Sequence, residues 1–261
     1  MNAYAGSKAM RLSLVVGILV LCLSSVASAT TITDYIGSDP GATSAAAIPN
    51  SDAASAALAS AIVGLGQTDS VITFESAPLG AFTDLTVAPG VTISGTDGYG
   101  NPQTIVNTPQ GAGSLYGFNT TPSGSQFVYE NGGTLTFSFA TPVDAFGAYL
   151  TGEQSPNFYT DTITFTDGSS ETITFPALGS SGGAAFVGFT DPGASIASVT
   201  INTGPSCVTT GCDFIGVDDV QYASVAAPEP SSILLLGVGL VGLVVLMTFW
   251  RKQPNPLLSE S

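Results

Sequence analysis

Residues 134–139 read Thr-Leu-Thr-Phe-Ser-Phe, and residues 161–166 read Asp-Thr-Ile-Thr-Phe-Thr. In both segments a polar side chain alternates with an aliphatic or aromatic one. This period of two, together with the β-branched and aromatic content, predicts half-buried β-strands. The same criteria predict further strands at Val71–Glu75, Val91–Ser94, Gln126–Glu130, Ala145–Thr151, Phe186–Phe189, Ile196–Asn202 and Phe214–Tyr222.

The predicted strands lie within one ectodomain, residues 71–223, with connections rich in glycine and proline. Asp167-Gly168 separates the strand at 161–166 from another at 170–175 and is typical of a hairpin turn. About ten short strands at this spacing indicate an all-β fold, a two-sheet antiparallel β-sandwich.

The leader that precedes the sandwich, residues 30–70, begins with a small, polar and featureless stretch that either lies across the domain or is disordered. Ser51-Asp52 is typical of a helix N-cap, and the pattern behind it predicts one short helix from about Ala53 to Ile62. Two glycines are expected to end it, Gly64 and Gly66.

The distribution of charge excludes several classes of function. No lysine or arginine lies between Leu12 and Trp250, histidine is absent from the chain, and seventeen acids lie between Asp34 and Asp219. Nucleic-acid binding is excluded because it depends on cationic side chains that neutralise phosphates. Catalytic triads and imidazole metal sites are excluded with it. Carboxylate chemistry remains, either as ligands for a hard cation or as paired acids acting on a glycosidic bond.

The N-terminus has the three regions of a secretory signal peptide. Lys8 and Arg11 precede the apolar run 12–23, and Ala27-Ser28-Ala29 supplies the small residues that a signal peptidase requires. Residues 1–29 are therefore expected to be removed. A lipoprotein anchored through Cys22 is the alternative, which the large residue before that cysteine disfavours.

A second apolar segment lies near the C-terminus. Residues 233–250 carry no charge and are long enough to cross a bilayer as a helix. Arg251 and Lys252 follow at once, so the tail 251–261 is expected in the cytoplasm and the ectodomain outside. A buried core helix, the alternative, would not need a cationic flank at one end and a proline-rich linker, residues 224–232, at the other.

The linker contains Pro228-Glu229-Pro230, and the order of this triplet, the apolar helix and the basic pair Arg251-Lys252 resembles the PEP-CTERM sorting signal of Gram-negative, exopolysaccharide-producing bacteria. The resemblance implies recognition by an exosortase, a membrane cysteine transpeptidase that acts near the triplet. It also implies anchoring in the inner membrane before processing, and the cell envelope or extracellular matrix afterwards. Family tails usually end soon after the basic residues, whereas this chain continues from Gln253 to Ser261.

Two cysteines remain after removal of the signal peptide, Cys207 and Cys212. An even pair in an exported domain indicates a disulfide that closes a short loop. Zinc binding is the alternative, but no further cysteine or histidine is present to complete a tetrahedral site.

The sandwich also resembles jelly-roll carbohydrate-binding modules of the galactose-binding type. The resemblance rests on Ile72-Thr73-Phe74-Glu75 at its start and Val217-Asp218-Asp219-Val220 at its end. It implies that the first and last strands are neighbours and that Glu75 and Asp218 hold a structural Ca²⁺. Strand alternation would instead place Asp218 and Asp219 on opposite faces. Sugar-stacking aromatics could be Tyr99, Tyr116, Phe118 or Tyr159.

Two functions of different classes follow. The first is a non-enzymatic envelope or matrix protein that associates with exopolysaccharide. The second is a glycan hydrolase or lyase that uses paired carboxylates, for which the strand domain offers four glutamates, Glu75, Glu130, Glu153 and Glu171. No spacing selects two of them as acid and base, so the first is favoured and no catalytic residue is assigned. The turn Asp97–Asn101 is too short for a calcium loop and is expected to be a plain turn.

Overall fold

The computed structural model describes residues 32–152, 160–165, 170–174, 178, 181–193, 196–204, 213–224 and 241. Antiparallel strands dominate these residues, as the alternation predicts, and one α-helix, α1 (Pro49–Gly64), precedes most of them. The strands are β1 (Thr33–Pro40), β2 (Ser70–Ile72), β3 (Gly80–Phe82), β4 (Asp84–Ala88), β5 (Val91–Thr96), β6 (Gln103–Val106), β7 (Phe127–Asn131), β8 (Gly133–Thr151), β9 (Thr160–Phe165), β10 (Ser170–Thr174), β11 (Gly183–Thr190), β12 (Ile196–Gly204) and β13 (Phe214–Ser224).

Strand β8 belongs to both halves of the sandwich. Its first part pairs with β5 and β12, and its second part pairs with β11 and β13. The segments 134–139 and 145–151, predicted as two strands, are therefore one strand. Because β8 is shared, hydrogen bonding runs without interruption through a 13-stranded sheet.

The two halves pack face to face through the side chains of β8 and its neighbours. The Phe137 and Phe146 rings, one from each part of β8, have centroids 5.3 Å apart and are tilted by 58°. Every second residue in the first part of β8 is buried, whereas its second part is buried on both faces. The predicted two-sheet β-sandwich is confirmed, and one of its sheets must be covered on the outside as well.

Helix α1 provides that outer cover. Leu58 and Ile62 are fully buried and form a second apolar cluster with residues of β8 and β11, including Tyr149 and Phe186. The helix approaches the sheet closely at Gly147, where an added Cβ would lie 2.5 Å from Leu58 Cδ2. A larger residue at this position would force the helix away from the strands.

The leader lies across the domain as strand β1. It pairs along its whole length with β11, from Thr33 opposite Thr190 to Pro40 opposite Gly183. No strand is predicted here because the segment, Thr-Asp-Tyr-Ile-Gly-Ser-Asp-Pro, lacks period-two alternation.

The start of helix α1 differs from the prediction. The helix begins at Pro49, earlier than the predicted Ala53, and the predicted cap at Ser51-Asp52 is wrong. The cap is Asp39 at the end of β1. Its Oδ2 atom accepts hydrogen bonds from Ser51 N at 2.8 Å and Ser51 Oγ at 2.8 Å, and its Oδ1 atom accepts one from Asn50 N at 3.1 Å. The helix ends as expected, with Gly66 in the left-handed region at φ 75°.

Several predicted segments lie outside the described residues: the signal peptide, both cysteines, the hairpin turn at 167–168, the Pro-Glu-Pro linker and, apart from Val241, the apolar run 233–250. Within the described part of the chain, no helix combines the length and hydropathy needed to span a bilayer.

Replacing Asp39 with alanine should lower the free energy of unfolding by about 1–2 kcal/mol, because the first turn of α1 loses its acceptor. Urea denaturation measures the change. Asp34→Ala, at an exposed position of the same strand, is the matched control and should change stability little. Equal stability of the two variants would show that Asp39 is not the cap.

Candidate functional site

The opening and closing strands of the sandwich are neighbours. β2 pairs with β13, with Ile72 opposite Val220. The predicted strand Val71–Glu75 ends at Ile72, because Phe74 is buried with φ 58°, a left-handed conformation that turns the chain away. Glu75 therefore leaves the end of β2 and enters a cluster of polar side chains near Asp218.

A β-bulge in β13 sets the direction of the two aspartates. Asp218 lies opposite Tyr149 and Gln221 lies opposite Gly147, so the bulged strand carries one residue more than its partner. Asp219 has φ 41° within the bulge. The alternative that strand alternation places the two carboxylates on opposite faces is therefore wrong. Thr120 Oγ1 lies 3.1 Å from Asp218 Oδ2 and 2.9 Å from Asp219 Oδ2.

The loop of residues 119–121 supplies donors to Asp218. Its Oδ2 atom accepts hydrogen bonds from Thr120 N at 2.7 Å, from Asn119 Nδ2 at 3.0 Å and, more weakly, from Thr121 N at 3.3 Å. Thr121 Oγ1 donates to Asp219 Oδ1 at 2.6 Å. We call this loop, Asn119-Thr120-Thr121, the clamp loop, because its N–H and O–H groups hydrogen-bond to both carboxylates in the middle of β13.

Glu75 contacts the clamp loop through Asn119 and the following chain through Ser125 and Gln126. Its Oε1 atom accepts hydrogen bonds from Ser125 N and Gln126 N, both at 2.8 Å, and from Asn119 Nδ2 at 3.1 Å. The amide of Asn119 thus lies between Glu75 and Asp218. The two residues predicted to share a metal ion approach one amide group, which sequence reasoning missed because no local pattern links Asn119 to Glu75 or Asp218.

Burial changes the acidity of the two aspartates. Asp218 is fully buried, and this burial, together with the charge of Asp219, raises its pKa to about 7 although the backbone N–H groups of Thr120 and Thr121 act in the opposite direction. Burial also raises the pKa of Asp219, with further contributions from Glu75 and Asp52. Near neutral pH this cluster can release a proton or accept a cation.

The oxygens available to a cation are few. The Oδ1 atom of Asp218 and the Oε1 atom of Gln126 are buried without a hydrogen-bond partner. Carboxylate and amide oxygens are the donors that Ca²⁺ prefers. Among the described residues, however, no three histidine, cysteine, aspartate or glutamate side chains are grouped as they would be around a metal ion.

Of the other glutamates, Glu130 is fully buried between the two halves of the sandwich. Its Oε1 atom accepts a hydrogen bond from Thr203 Oγ1 at 3.0 Å, and its Oε2 atom has no partner. Burial raises its pKa to about 8. Glu153 and the side chain of Glu171 lie outside what the structure describes.

The predicted sugar-stacking aromatics differ in exposure. Tyr99 is 56% exposed at the tip of a turn in which Asp97 Oδ1 accepts the N–H groups of Tyr99 and Asn101, so the expected plain turn is confirmed. Phe118 is 5% exposed and belongs to the core beneath helix α1, which excludes it from ligand contact. Tyr116 is half-buried, and Tyr159 lies outside the described residues.

A family model described as the PEP-CTERM protein-sorting motif matches residues 226–252. The chain carries a PEP-CTERM sorting motif. The match contains the Pro-Glu-Pro triplet, the apolar run and the Arg251-Lys252 pair, so the predicted recognition of this tail is confirmed. No curated protein matches this chain.

Solved structures similar to this chain include carbohydrate-binding modules. A family 29 module from Piromyces equi is 8% identical and covers 62% of this chain and 94% of its own, with a TM-score of 0.33. TmCBM61 in complex with β-1,4-galactotriose is 12% identical, covers 59% and 95%, and has a TM-score of 0.28. The K2 cleaved adhesin domain of Lys-gingipain is 16% identical, covers 59% and 97%, and has a TM-score of 0.37.

The stability of the domain should fall as the pH rises from about 4 to about 8. In the folded state Asp218 keeps its proton up to about pH 7 and Glu130 up to about pH 8, whereas in the unfolded state both lose it near their ordinary pKa values of 3.8 and 4.5. Glu130→Gln should flatten the slope by up to about 1.4 kcal/mol per pH unit and stabilise the domain at pH 8. Urea denaturation at several pH values measures the slope.

The exposed Asp84 supplies the control for this experiment. Asp84→Asn should leave the slope as it is in the wild type. A Glu130→Gln slope equal to that of the wild type would mean that Glu130 is ionised in the folded protein, contrary to its burial.

Proposed function

We propose that this PEP-CTERM protein is exported, is processed by an exosortase and then associates with exopolysaccharide in the envelope or matrix of a Gram-negative bacterium, without altering the glycan chemically. The match of the sorting motif at residues 226–252 is the single observation that carries the proposal. The signal-peptide pattern of residues 1–29 supports it, since both features describe a protein that crosses the inner membrane.

The sequence of the tail suggests how sorting proceeds. The apolar run 233–250 holds the chain in the inner membrane, and Arg251 and Lys252 keep its end in the cytoplasm. Because proline disfavours helix, the sequence predicts an extended triplet at Pro228-Glu229-Pro230 for the exosortase to cut next to the membrane. Processing would then separate the ectodomain from its anchor.

The contacts of the described carboxylates favour a non-enzymatic function. Glu130 lies inside the sandwich, where no glycosidic bond can reach it. Asp218 is fully buried and held by the clamp loop, and the Oε1 atom of Glu75 already accepts three hydrogen bonds. A glycoside hydrolase needs two carboxyl groups that flank the substrate from an open cleft, and these three are engaged in the fold.

We further propose that Glu75 and Asp218 hold a structural Ca²⁺ that links the opening and closing strands. The unpartnered Oδ1 atom of Asp218 supports this proposal, as does the absence of any lysine or arginine between Leu12 and Trp250. The clamp loop offers Asp218 and Asp219 only N–H and O–H dipoles. In this proposal Ca²⁺ would supply a full positive charge.

Replacing Pro228-Glu229-Pro230 with three alanines should leave export intact and block processing, because the apolar run and its basic end are unchanged. Mass spectrometry and membrane fractionation should find a full-length, membrane-retained product. The matched control replaces Gln253-Pro254-Asn255 with alanines, outside the matched residues, and should be processed normally. Normal cleavage of the Pro-Glu-Pro variant would contradict the proposed sorting.

Millimolar Ca²⁺ should raise the melting temperature of the protein by a few degrees relative to chelator, for roughly 1–3 kcal/mol of linkage. Asp218→Ala should remove this difference, whatever its effect on the melting temperature itself, and Asp84→Ala should retain it. A wild-type protein that melts at the same temperature in Ca²⁺ and in chelator has no such site.

A further inference from the structure

Two buried aspartates lie opposite each other where the pairing of β8 with β11 ends. The register sets Phe146 opposite Phe189, and both rings, with centroids 6.2 Å apart, belong to the core between the two halves of the sandwich. Asp191 N donates to Asp144 O at 2.7 Å, which continues this register by two residues. Because side chains two residues apart on a strand lie on one face, Asp144 and Asp191 lie on the same side of the sheet as the two rings.

Each of these carboxylates keeps one oxygen atom without a partner. Asp144 is 3% exposed and Asp191 is 4% exposed, and the Oδ1 atom of each is buried and accepts no hydrogen bond. Gln67 Nε2 donates to Asp144 Oδ2 at 2.8 Å, but the Oε1 atom of Gln67 is also buried and unpartnered. We call Gln67, Asp144 and Asp191 the oxygen cluster.

The oxygen cluster carries negative charge that no side chain of the ectodomain can neutralise. Directly opposite residues on antiparallel strands have Cβ atoms about 5 Å apart, so the two carboxylates repel each other when both are ionised. No lysine, arginine or histidine lies between Leu12 and Trp250. Gln67 follows the C-terminal end of α1, and its N–H donates to Ile62 O at 3.2 Å. The negative end of the helix dipole therefore adds to the attraction for a cation.

The number of donors and their fixed spacing favour Mg²⁺ over Ca²⁺. Ca²⁺ takes about six to eight oxygen ligands in a flexible arrangement, whereas Mg²⁺ is commonly held by one or two carboxylates and keeps several waters. The oxygen cluster has two carboxylates and one amide, and no group of three acidic, histidine or cysteine side chains suited to a metal ion occurs in the described part of the chain. Hydrogen-bonded neighbouring strands hold the two aspartates at a set spacing, which suits the smaller ion with its stricter geometry.

We propose that the oxygen cluster binds one Mg²⁺ ion, with Asp144 and Asp191 as carboxylate ligands, Gln67 as an amide ligand and water in the remaining positions. The ion joins β8 and β11 to the end of helix α1 and so fastens the leader to the sandwich. The proposed Ca²⁺ site is separate, because Asp218 lies opposite Tyr149, five residues along β8 from Asp144. The inference does not depend on the proposed association with exopolysaccharide.

Titration calorimetry of the full chain, purified in detergent, with MgCl₂ tests the site. The wild type should bind one ion at this site, and Asp144→Asn and Asp191→Asn should each weaken binding by about tenfold or more. Asp84→Asn, at an exposed position, is the matched control and should bind like the wild type. Asp218→Ala should also retain Mg²⁺ binding, which separates this site from the proposed Ca²⁺ site.

Thermal melting of the same proteins distinguishes an ion site from a merely structural pair. Mg²⁺ should raise the melting temperature of the wild type by a few degrees relative to chelator, and the two asparagine variants should lose this response. In chelator these variants should melt at or above the wild-type temperature, because asparagine keeps the volume of aspartate and removes the repulsion between the carboxylates.

Four results would overturn the inference. A wild-type chain that binds no Mg²⁺ has no such site, and binding that survives both asparagine substitutions places the ion elsewhere. Asparagine variants that melt below the wild type in chelator would show that the two aspartates stabilise the fold without an ion. Binding of Ca²⁺ by Asp218→Ala as tightly as Mg²⁺ would overturn the choice of ion.

Discussion

Every buried carboxylate of this ectodomain has to be satisfied without a cation, because no lysine, arginine or histidine lies between Leu12 and Trp250. A charged group left without a partner in a protein interior costs several kcal/mol. The fold meets this constraint in three ways. Asp39 accepts the N–H groups at the start of helix α1, Asp218 accepts those of the clamp loop, and Glu130 retains its proton and accepts the hydroxyl of Thr203.

The absence of cationic side chains also affects the acidity of Asp218. N–H and O–H dipoles stabilise a carboxylate less completely than a full positive charge, so the pKa of Asp218 stays near 7 despite its hydrogen bonds.

The sequence predicts the sandwich well where burial is one-sided, since the alternation at 134–139 can be seen in the residues themselves. The prediction fails where contacts between residues distant in the sequence determine the local structure. Strand β1 forms because it pairs with β11. Helix α1 starts earlier than predicted because the Asp39 carboxylate of the preceding strand accepts a hydrogen bond from its first turn. The bulge at Asp218 and Asp219 depends on a positive φ at a residue other than glycine, which no local pattern signals. Glu75 and Asp218 could be paired from a resemblance, but Asn119 between them could not.

The clamp loop stabilises the domain through its hydrogen bonds to Asp218. A double-mutant cycle with Asn119→Ala and Asp218→Ala, measured by urea denaturation at pH 8, tests it most directly. If the two side chains interact as the structure shows, the free energies of unfolding should be non-additive by about 1–3 kcal/mol. Effects that add to within about 0.5 kcal/mol would show that the two residues act independently and would contradict the account.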